Sequence, residues 1–239
     1  MNAHKALSIA LPTTLTVAAL PGCGSDAFQC YVGLSEIRLE PTVVDADGRI
    51  DAEVKLWAEQ SNGVEIPIDV CSENSDTLKV NGQALQRVAA SQPIYAASLQ
   101  QAQSRYRFEL YRDSDNAKGT IELTAATEFV LRPGAAIRSR REPFTIEWDP
   151  PLPGETLTLS MASDELHCLE SERRTLPDTG RAVFTAPWPP PAANTDVEAV
   201  CQAELTLVRR SEHAESENLH PDTTGAALVQ RKARFLSIP

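Results

Sequence analysis

Apolar and polar residues alternate along much of the chain, with the two-residue period of half-buried strands. In EVKLWAE (53–59), Val54, Leu56 and Ala58 share one face, and in IPIDV (66–70) Ile66, Ile68 and Val70 do. YRFELYR (106–112) aligns Tyr106, Phe108 and Leu110, and FTIEW (144–148) aligns Phe144, Ile146 and Trp148. TLTLSM (156–161) and AELTLV (203–208) repeat the pattern with Leu157, Leu159 and Met161, then Ala203, Leu205 and Leu207. Turn formers separate these runs: DADG (45–48), SNG (61–63), NG (81–82), DSDN (113–116), PPLPG (150–154) and DTG (178–180). Short strands with frequent turns predict an all-β sandwich architecture rather than a parallel sheet. One stretch departs from the period. After Ser91 and Pro93, the side chains Ile94, Tyr95, Leu99 and Ala102 recur at helix-like intervals. Pro is well placed at a first helical position, and a short helix is expected over 93–103.

The chain has 239 residues, room for one large β domain or two small ones. PGAAIRSRREP (133–143) carries Gly134, two prolines and the clustered Arg138, Arg140 and Arg141, and marks a boundary. The expectation is two tandem small antiparallel β-sandwich domains, residues 31–133 and 144–239, joined by a linker at 134–143. The pattern loosely resembles immunoglobulin-like or fibronectin-like modules. It lacks the tryptophan that immunoglobulin domains pack on a strand between their paired cysteines. Trp188 does fall between Cys168 and Cys201, but in WPPP, where no interior strand runs. Aromatic residues are only 5% of the chain, so the core is expected to consist mostly of Val, Leu, Ile and Ala.

Residues 1–22 read differently. They contain Lys5, no acid, and an apolar run from Ala6 to Leu20 interrupted by Pro12, Thr13, Thr14 and Thr16. A bilayer-spanning helix needs roughly 20 mostly apolar residues; this layout fits a secretory signal instead. Leu20-Pro21-Gly22-Cys23 resembles the lipobox of bacterial lipoproteins, although Pro21 stands where that family prefers a small non-proline residue. The resemblance covers residues 1–23 only. It implies cleavage before Cys23, acylation of that cysteine, and a lipidated tether over 23–30. Several acyl chains hold a protein stably where one does not. With Gly24 rather than an aspartate after that cysteine, the resemblance implies the outer membrane if the organism is Gram-negative, with the body facing the periplasm.

Five cysteines are present, Cys23, Cys30, Cys71, Cys168 and Cys201, and an odd count in a secreted chain needs an explanation. Lipidation of Cys23 leaves four, which sequence alone allows to pair in three ways. Pairing within domains gives Cys30–Cys71 and Cys168–Cys201, in keeping with an oxidising compartment. No two cysteines have the close spacing of a zinc site, and no metal or cofactor is expected.

The chain holds 22 bases and 33 acids, a balance that repels phosphate backbones and sets nucleic acid aside as a partner. DADGRID (45–51) has acids spaced somewhat like a calcium loop, but position twelve is Leu56, and Asp-Gly between alternating runs reads as a hairpin. LPDTG (176–180) matches the five-residue sortase signal, yet about sixty residues of patterned chain follow it, so it reads as a turn. Its DTG lacks the context of the aspartic protease triplet, since Pro177 precedes it and Arg181 follows. Three histidines remain beyond the signal: His167, His213 and His220. There is no G-x-S-x-G and no H-E-x-x-H. His213 and His220 lie in RRSEHAESENLHPDTTG (209–225), which reads as a solvated loop and as one candidate binding edge; Arg138, Arg140 and Arg141 are the other. The reading that results is a lipid-anchored envelope module that binds or scaffolds a protein or glycan without catalysis. The alternative is a lipid-anchored periplasmic hydrolase with a site assembled from residues distant in sequence.

Overall fold

The computed structural model describes residues 32–59, 63–71, 75–88, 93–114, 116–132, 134–163, 168–193 and 199–239. The signal segment, Cys23, Cys30 and His167 lie outside them. The strands, in order, are β1 (Ile37–Ala46), β2 (Arg49–Glu59), β3 (Glu65–Pro67), β4 (Thr77–Val80), β5 (Gln83–Ala84), β6 (Gln86–Arg87), β7 (Ile94–Leu99), β8 (Arg105–Arg112) and β9 (Ala117–Thr124). They continue with β10 (Val130–Arg132), β11 (Ile137–Ser139), β12 (Phe144–Asp149), β13 (Thr156–Ser163), β14 (Glu172–Pro177), β15 (Arg181–Phe184), β16 (Cys201–Ser211), β17 (Ala214–Glu217) and β18 (Ala226–Ile238). The fold is all-β, and no α-helix occurs among the described residues.

Ten strands form one large sheet, in the order β14-β13-β16-β18-β1-β2-β7-β6, with β11 beside β18 and β3 beside β2. Two smaller sheets cover one of its faces: β17-β9-β8-β4-β5 and β10-β12-β15. The alternation seen in the sequence is the burial pattern. Val54, Leu56 and Ala58 are buried, as are Tyr106, Phe108 and Leu110, and Leu157, Leu159 and Met161. The DADG turn closes the β1–β2 hairpin with positive φ at both Asp47 (53°) and Gly48 (88°). That mirror-image turn matches the twist of the flanking strands, and glycine takes its second position without a Cβ penalty.

The sheets enclose two apolar cores. The first, under the five-stranded sheet, includes Leu39, Val54, Leu56, Val80, Phe108, Ile121 and Leu123. The second, under the three-stranded sheet, includes Phe144, Trp148, Leu159, Phe184, Trp188, Leu207 and Phe235. The chain passes between them at residues 125–129 and returns to the first at Leu219, which is buried there. The large sheet does not stop at that crossing. Its first and last strands, β1 and β18, pair in parallel from Thr42↔Ala226 to Ala46↔Gln230, so one continuous sheet backs both cores. Gly225 sits at the entry to this seam. A Cβ there would fall 2.6 Å from Leu123 Cδ2 and 2.9 Å from both Pro41 Cγ and Pro41 O, so only glycine allows so close an approach.

Three expectations are corrected. The segment expected to form a helix at 93–103 is strand β7, which pairs antiparallel with β2 from Ile50↔Leu99 to Lys55↔Ile94. Tyr95, Ala97 and Leu99 pack toward the first core at period two, and the sheet partner overrides the helix-like spacing. The segment expected to be a linker at 134–143 contributes β11 and the buried Arg140. The segment expected to be a solvated loop at 209–225 begins as the end of β16 and continues as β17, which pairs with β9 from Ala214↔Leu123 to Glu217↔Thr120. Its Leu219 and Thr223 are buried.

Candidate functional site

The seam leaves a cleft of about 420 Å³ between the large sheet, one end of the five-stranded sheet and the crossing segment 125–129. Val43 of β1 and Ala227 and Val229 of β18 contribute an apolar surface from the large sheet. Gln103, Ser104, Tyr106 and Thr124 line it from β8, β9 and the turn before β8. Ala126, Thr127 and Glu128, from the crossing segment, complete the opposite side.

The crossing segment has no ladder partner of its own, yet its carbonyls need hydrogen-bond donors. Two arginines from the large sheet supply them. Arg209 Nη1 donates to Thr127 O at 3.0 Å and to Glu128 O at 3.2 Å, and Arg231 Nε donates to Phe129 O at 3.2 Å. Each arginine is also tied to a buried aspartate. Asp178 accepts from Arg209 Nε at 2.8 Å and from Trp148 Nε1 at 2.7 Å. Asp45 Oδ1 accepts from Arg231 Nη1 at 3.1 Å and from Gly48 N at 3.2 Å. The guanidinium of Arg209 lies 4.9 Å from the centre of the Phe129 ring, a cation–π arrangement. These contacts hold the cleft in shape and consume the charge of Asp45, the buried acid that lines it. Tyr106 is buried as well, and its hydroxyl accepts from Gln103 N at 3.3 Å. Burial pushes its phenol up, so it stays neutral.

The sequence-predicted residues fall elsewhere. Arg140 is buried, donating from Nη2 to Ala199 O at 2.8 Å and from Nη1 to Ser237 Oγ at 3.3 Å, with Cys201 Sγ at 3.7 Å. It fastens β11 to the disulfide region and is closed to external ligands. Arg138 lies 4.8 Å from the centre of the Phe144 ring, and the exposed Arg141 donates its backbone N–H to Ser139 Oγ at 3.1 Å. The three arginines are neighbours in sequence with separate tasks. His213 is exposed, 3.6 Å from Glu215, and its carbonyl accepts from Thr124 N at 3.0 Å. His220 is half-buried, its Nδ1 accepting from Asp222 N at 3.2 Å and its Nε2 3.9 Å from Glu59. None of these five side chains lines the cleft. Cys168 and Cys201 are disulfide-bonded to each other, with Cα atoms 6.1 Å apart. Cys71 is also disulfide-bonded; its expected partner, Cys30, lies outside the described residues. Among the described residues, no group of three His, Cys, Asp or Glu side chains is placed to hold a metal ion.

Sequence reasoning missed the cleft because its lining comes from four separated stretches. It also passed over Asp178, whose LPDTG context reads as an ordinary turn. The hint was Asp178 beside Gly180 at a strand end, opposite an apolar strand interrupted by Arg209, since a charge on a core-facing position implies a buried partner.

Charge divides unevenly across the seam. Residues 32–125 with 212–225 carry 19 acids and 9 bases, whereas residues 126–211 with 226–239 carry 13 and 12. The cleft lies where the strongly acidic half meets the nearly neutral one.

No protein-family model matches the chain, and comparison with curated proteins finds no match. Among solved structures, the chain has a likeness to the Bacteroides ovatus mixed-linkage glucan utilization locus protein SGBP-B, solved in complex with a mixed-linkage heptasaccharide. The identity is 11%, the match covers 77% of this chain and 53% of that one, and the TM-score is 0.20. At that score the two folds do not superpose, and the likeness carries no argument.

Proposed function

We propose that this chain is a non-catalytic binding or scaffolding module of the bacterial cell envelope, tethered to the outer membrane through acyl chains on Cys23, with the seam cleft as its binding face. One observation carries the non-catalytic part: the fate of the buried charges. Asp45, Asp76, Arg112, Arg140, Asp178 and Arg209 are the buried charged residues among those described, and each is engaged inside the protein. Asp76 Oδ2 lies 3.3 Å from Arg112 Nε, and its Oδ1 accepts from Asp113 N at 3.0 Å. A catalytic acid or base needs a free lone pair or proton within reach of substrate. Here those groups hold strands together. The signal layout at residues 1–23 and the Cys168–Cys201 bridge support an exported protein in an oxidising compartment.

Cell fractionation with mass spectrometry of the N-terminal peptide tests the tether. The parent is expected in the membrane fraction with an acyl mass on Cys23, and Cys23→Ser in the soluble fraction or unprocessed. A variant that fractionates like the parent, with no acyl mass on the parent peptide, overturns the tether. Turnover of any glycan or peptide substrate that disappears in Glu128→Gln overturns the non-catalytic part in favour of a hydrolase.

A further inference from the structure

We propose that the seam cleft takes an uncharged polyhydroxyl ligand, one or two sugar rings in size, held by hydroxyl and amide groups around an apolar floor. The inference deepens the binding-module reading above and rests on it.

Size comes first. At about 420 Å³, the cleft falls in the range of roughly 300–1,000 Å³ typical of small-molecule sites, which also favour the junction of two packing units. Rigidity comes second. The lining strands pair across the seam, and the crossing segment is pinned by Arg209 and Arg231, so a ligand would meet a formed site and spend little on ordering it.

Chemistry then narrows the class. The hydroxyls of Ser104, Thr124 and Thr127 can each donate and accept. The Gln103 amide has its Oε1 engaged by Asn81 Nδ2 at 2.8 Å, which leaves its NH₂ as a donor. Glu128 is exposed and adds an acceptor. The floor of Val43, Ala227 and Val229 is deeply buried and its side chains are carbon only, and the more exposed Ala102 and Ala125 add apolar surface at its rim. Short polar groups around a small apolar surface match a molecule with hydroxyls on its rim and C–H bonds on its face. A sugar ring has that distribution.

Charged ligands fit poorly. Among the described residues, the cleft lining contains no Lys, Arg or His, and it borders the half of the chain with 19 acids and 9 bases, so an anion would be repelled and find no counter-ion there. A cation would meet Glu128 alone, because Asp45 is already bonded to Arg231 and Gly48. An extended apolar ligand would leave the hydroxyl groups desolvated without partners, a cost of about 1–3 kcal/mol each.

The test is a ligand panel measured by saturation-transfer NMR and titration on the full chain in detergent. The neutral members are glucose, maltose, cellobiose, lactose and chitobiose; glucuronate and spermidine are the charged members. At least one neutral disaccharide is expected to bind, with glucuronate silent. Glu128→Gln keeps an acceptor oxygen but removes its charge and should weaken that binding about tenfold, the scale of exchanging a charged acceptor for a neutral one. Thr127→Trp should abolish it by filling the mouth. Thr127 and Ser104 are exposed, so the melting temperature should hold, and Ser104→Trp blocks the same mouth from the other side. The inference fails if no neutral sugar binds, if binding survives both tryptophan variants, or if spermidine binds in preference to the sugars. Turnover of a bound sugar would instead sink the non-catalytic reading and leave the ligand class standing, so the two failures are distinguishable.

Discussion

Among the described residues, the first core holds one phenylalanine, Phe108, two tyrosines, Tyr95 and Tyr106, and no tryptophan, whereas the second holds Phe129, Phe144, Trp148, Phe184, Trp188 and Phe235. The opposing layers explain the difference. Over the first core lies a five-stranded sheet whose β8 and β9 are paired along eight residues each. Two well-formed sheets pack about 10 Å apart, a gap that Val, Leu and Ile fill. Over the second core the covering strands are short: β10, β12 and β15 contribute three, six and four residues. Proline-rich coil at 185–193 supplies the rest of the cover. Where backbone ladders are missing, large side chains take up the volume. Phe184 stacks on Trp188 at 4.2 Å between ring centres, and Phe144 lies 4.8 Å from Trp188 and 5.3 Å from Phe235. Trp188, set among prolines, donates its Nε1–H to Glu172 at 2.8 Å, as a buried indole requires. The Cys168–Cys201 bridge then pins the two flanks of that coil. The lesson is that a sandwich with half a lid can still close, with aromatic mass and a covalent tie standing in for strands.

Despite that contrast, the seam should make the two cores unfold together, and the variants that probe it are ordered by expected effect. Asp178→Ala should cost most, about 3–5 kcal/mol, because it strands the buried charge of Arg209 and the N–H of Trp148. Tryptophan fluorescence, from Trp148 and Trp188 of the second core as well as Trp57, and tyrosine near-UV signals, all from the first half of the chain, should shift to one lower midpoint together. Two separated transitions would mean that the cores are independent. Gly225→Ala attacks the seam itself. Its new methyl would press on Pro41 and Leu123, and overpacking of this kind costs about 1–3 kcal/mol. Denaturant midpoints measure it, and an unchanged midpoint would show that the seam is not tightly packed.

The smallest expected effect belongs to the first core alone. Tyr95 donates its hydroxyl to Asp69 at 2.6 Å and accepts from Val70 N at 2.9 Å. Burial, together with the bond to Asp69, pushes its phenol from 10.0 up to about 12. The folded state therefore favours the neutral phenol. That stabilisation is complete below pH 10 and is lost as pH rises toward 12. Tyr95→Phe should cost about 1–2 kcal/mol at neutral pH and should flatten the loss of stability in the alkaline window. An equally steep alkaline loss in the variant would assign it to another group.

Much of this architecture is legible in the residues. The six alternating segments point inward as their periodicity requires, and the Asp47-Gly48 turn closes its hairpin. What stays hidden is set by pairing at long range. Strand β7 has helix-like spacing, and only its partner β2 decides its form. Residues 209–225 are polar because β17 presents Glu215 and Glu217 at an exposed edge, a composition that a solvated loop shares. Arg140 looks like its exposed neighbour Arg141 until the carbonyl of Ala199 is placed beside it. The low aromatic content points to an aliphatic core, which holds for the first core; the few aromatic residues are concentrated in the second. The cleft has no local signature because it forms only when β1 and β18, from opposite ends of the chain, lie side by side.

That pairing is the central claim, and hydrogen–deuterium exchange of the intact protein tests it most directly. Residues 42–46 and 226–230 pair across the seam, and their amides should exchange in the slowest class, together with those of β8, β9, β13 and β16. Rapid exchange of 42–46 and 226–230 while both cores remain protected would contradict it, leaving two separate sandwiches and no shared sheet.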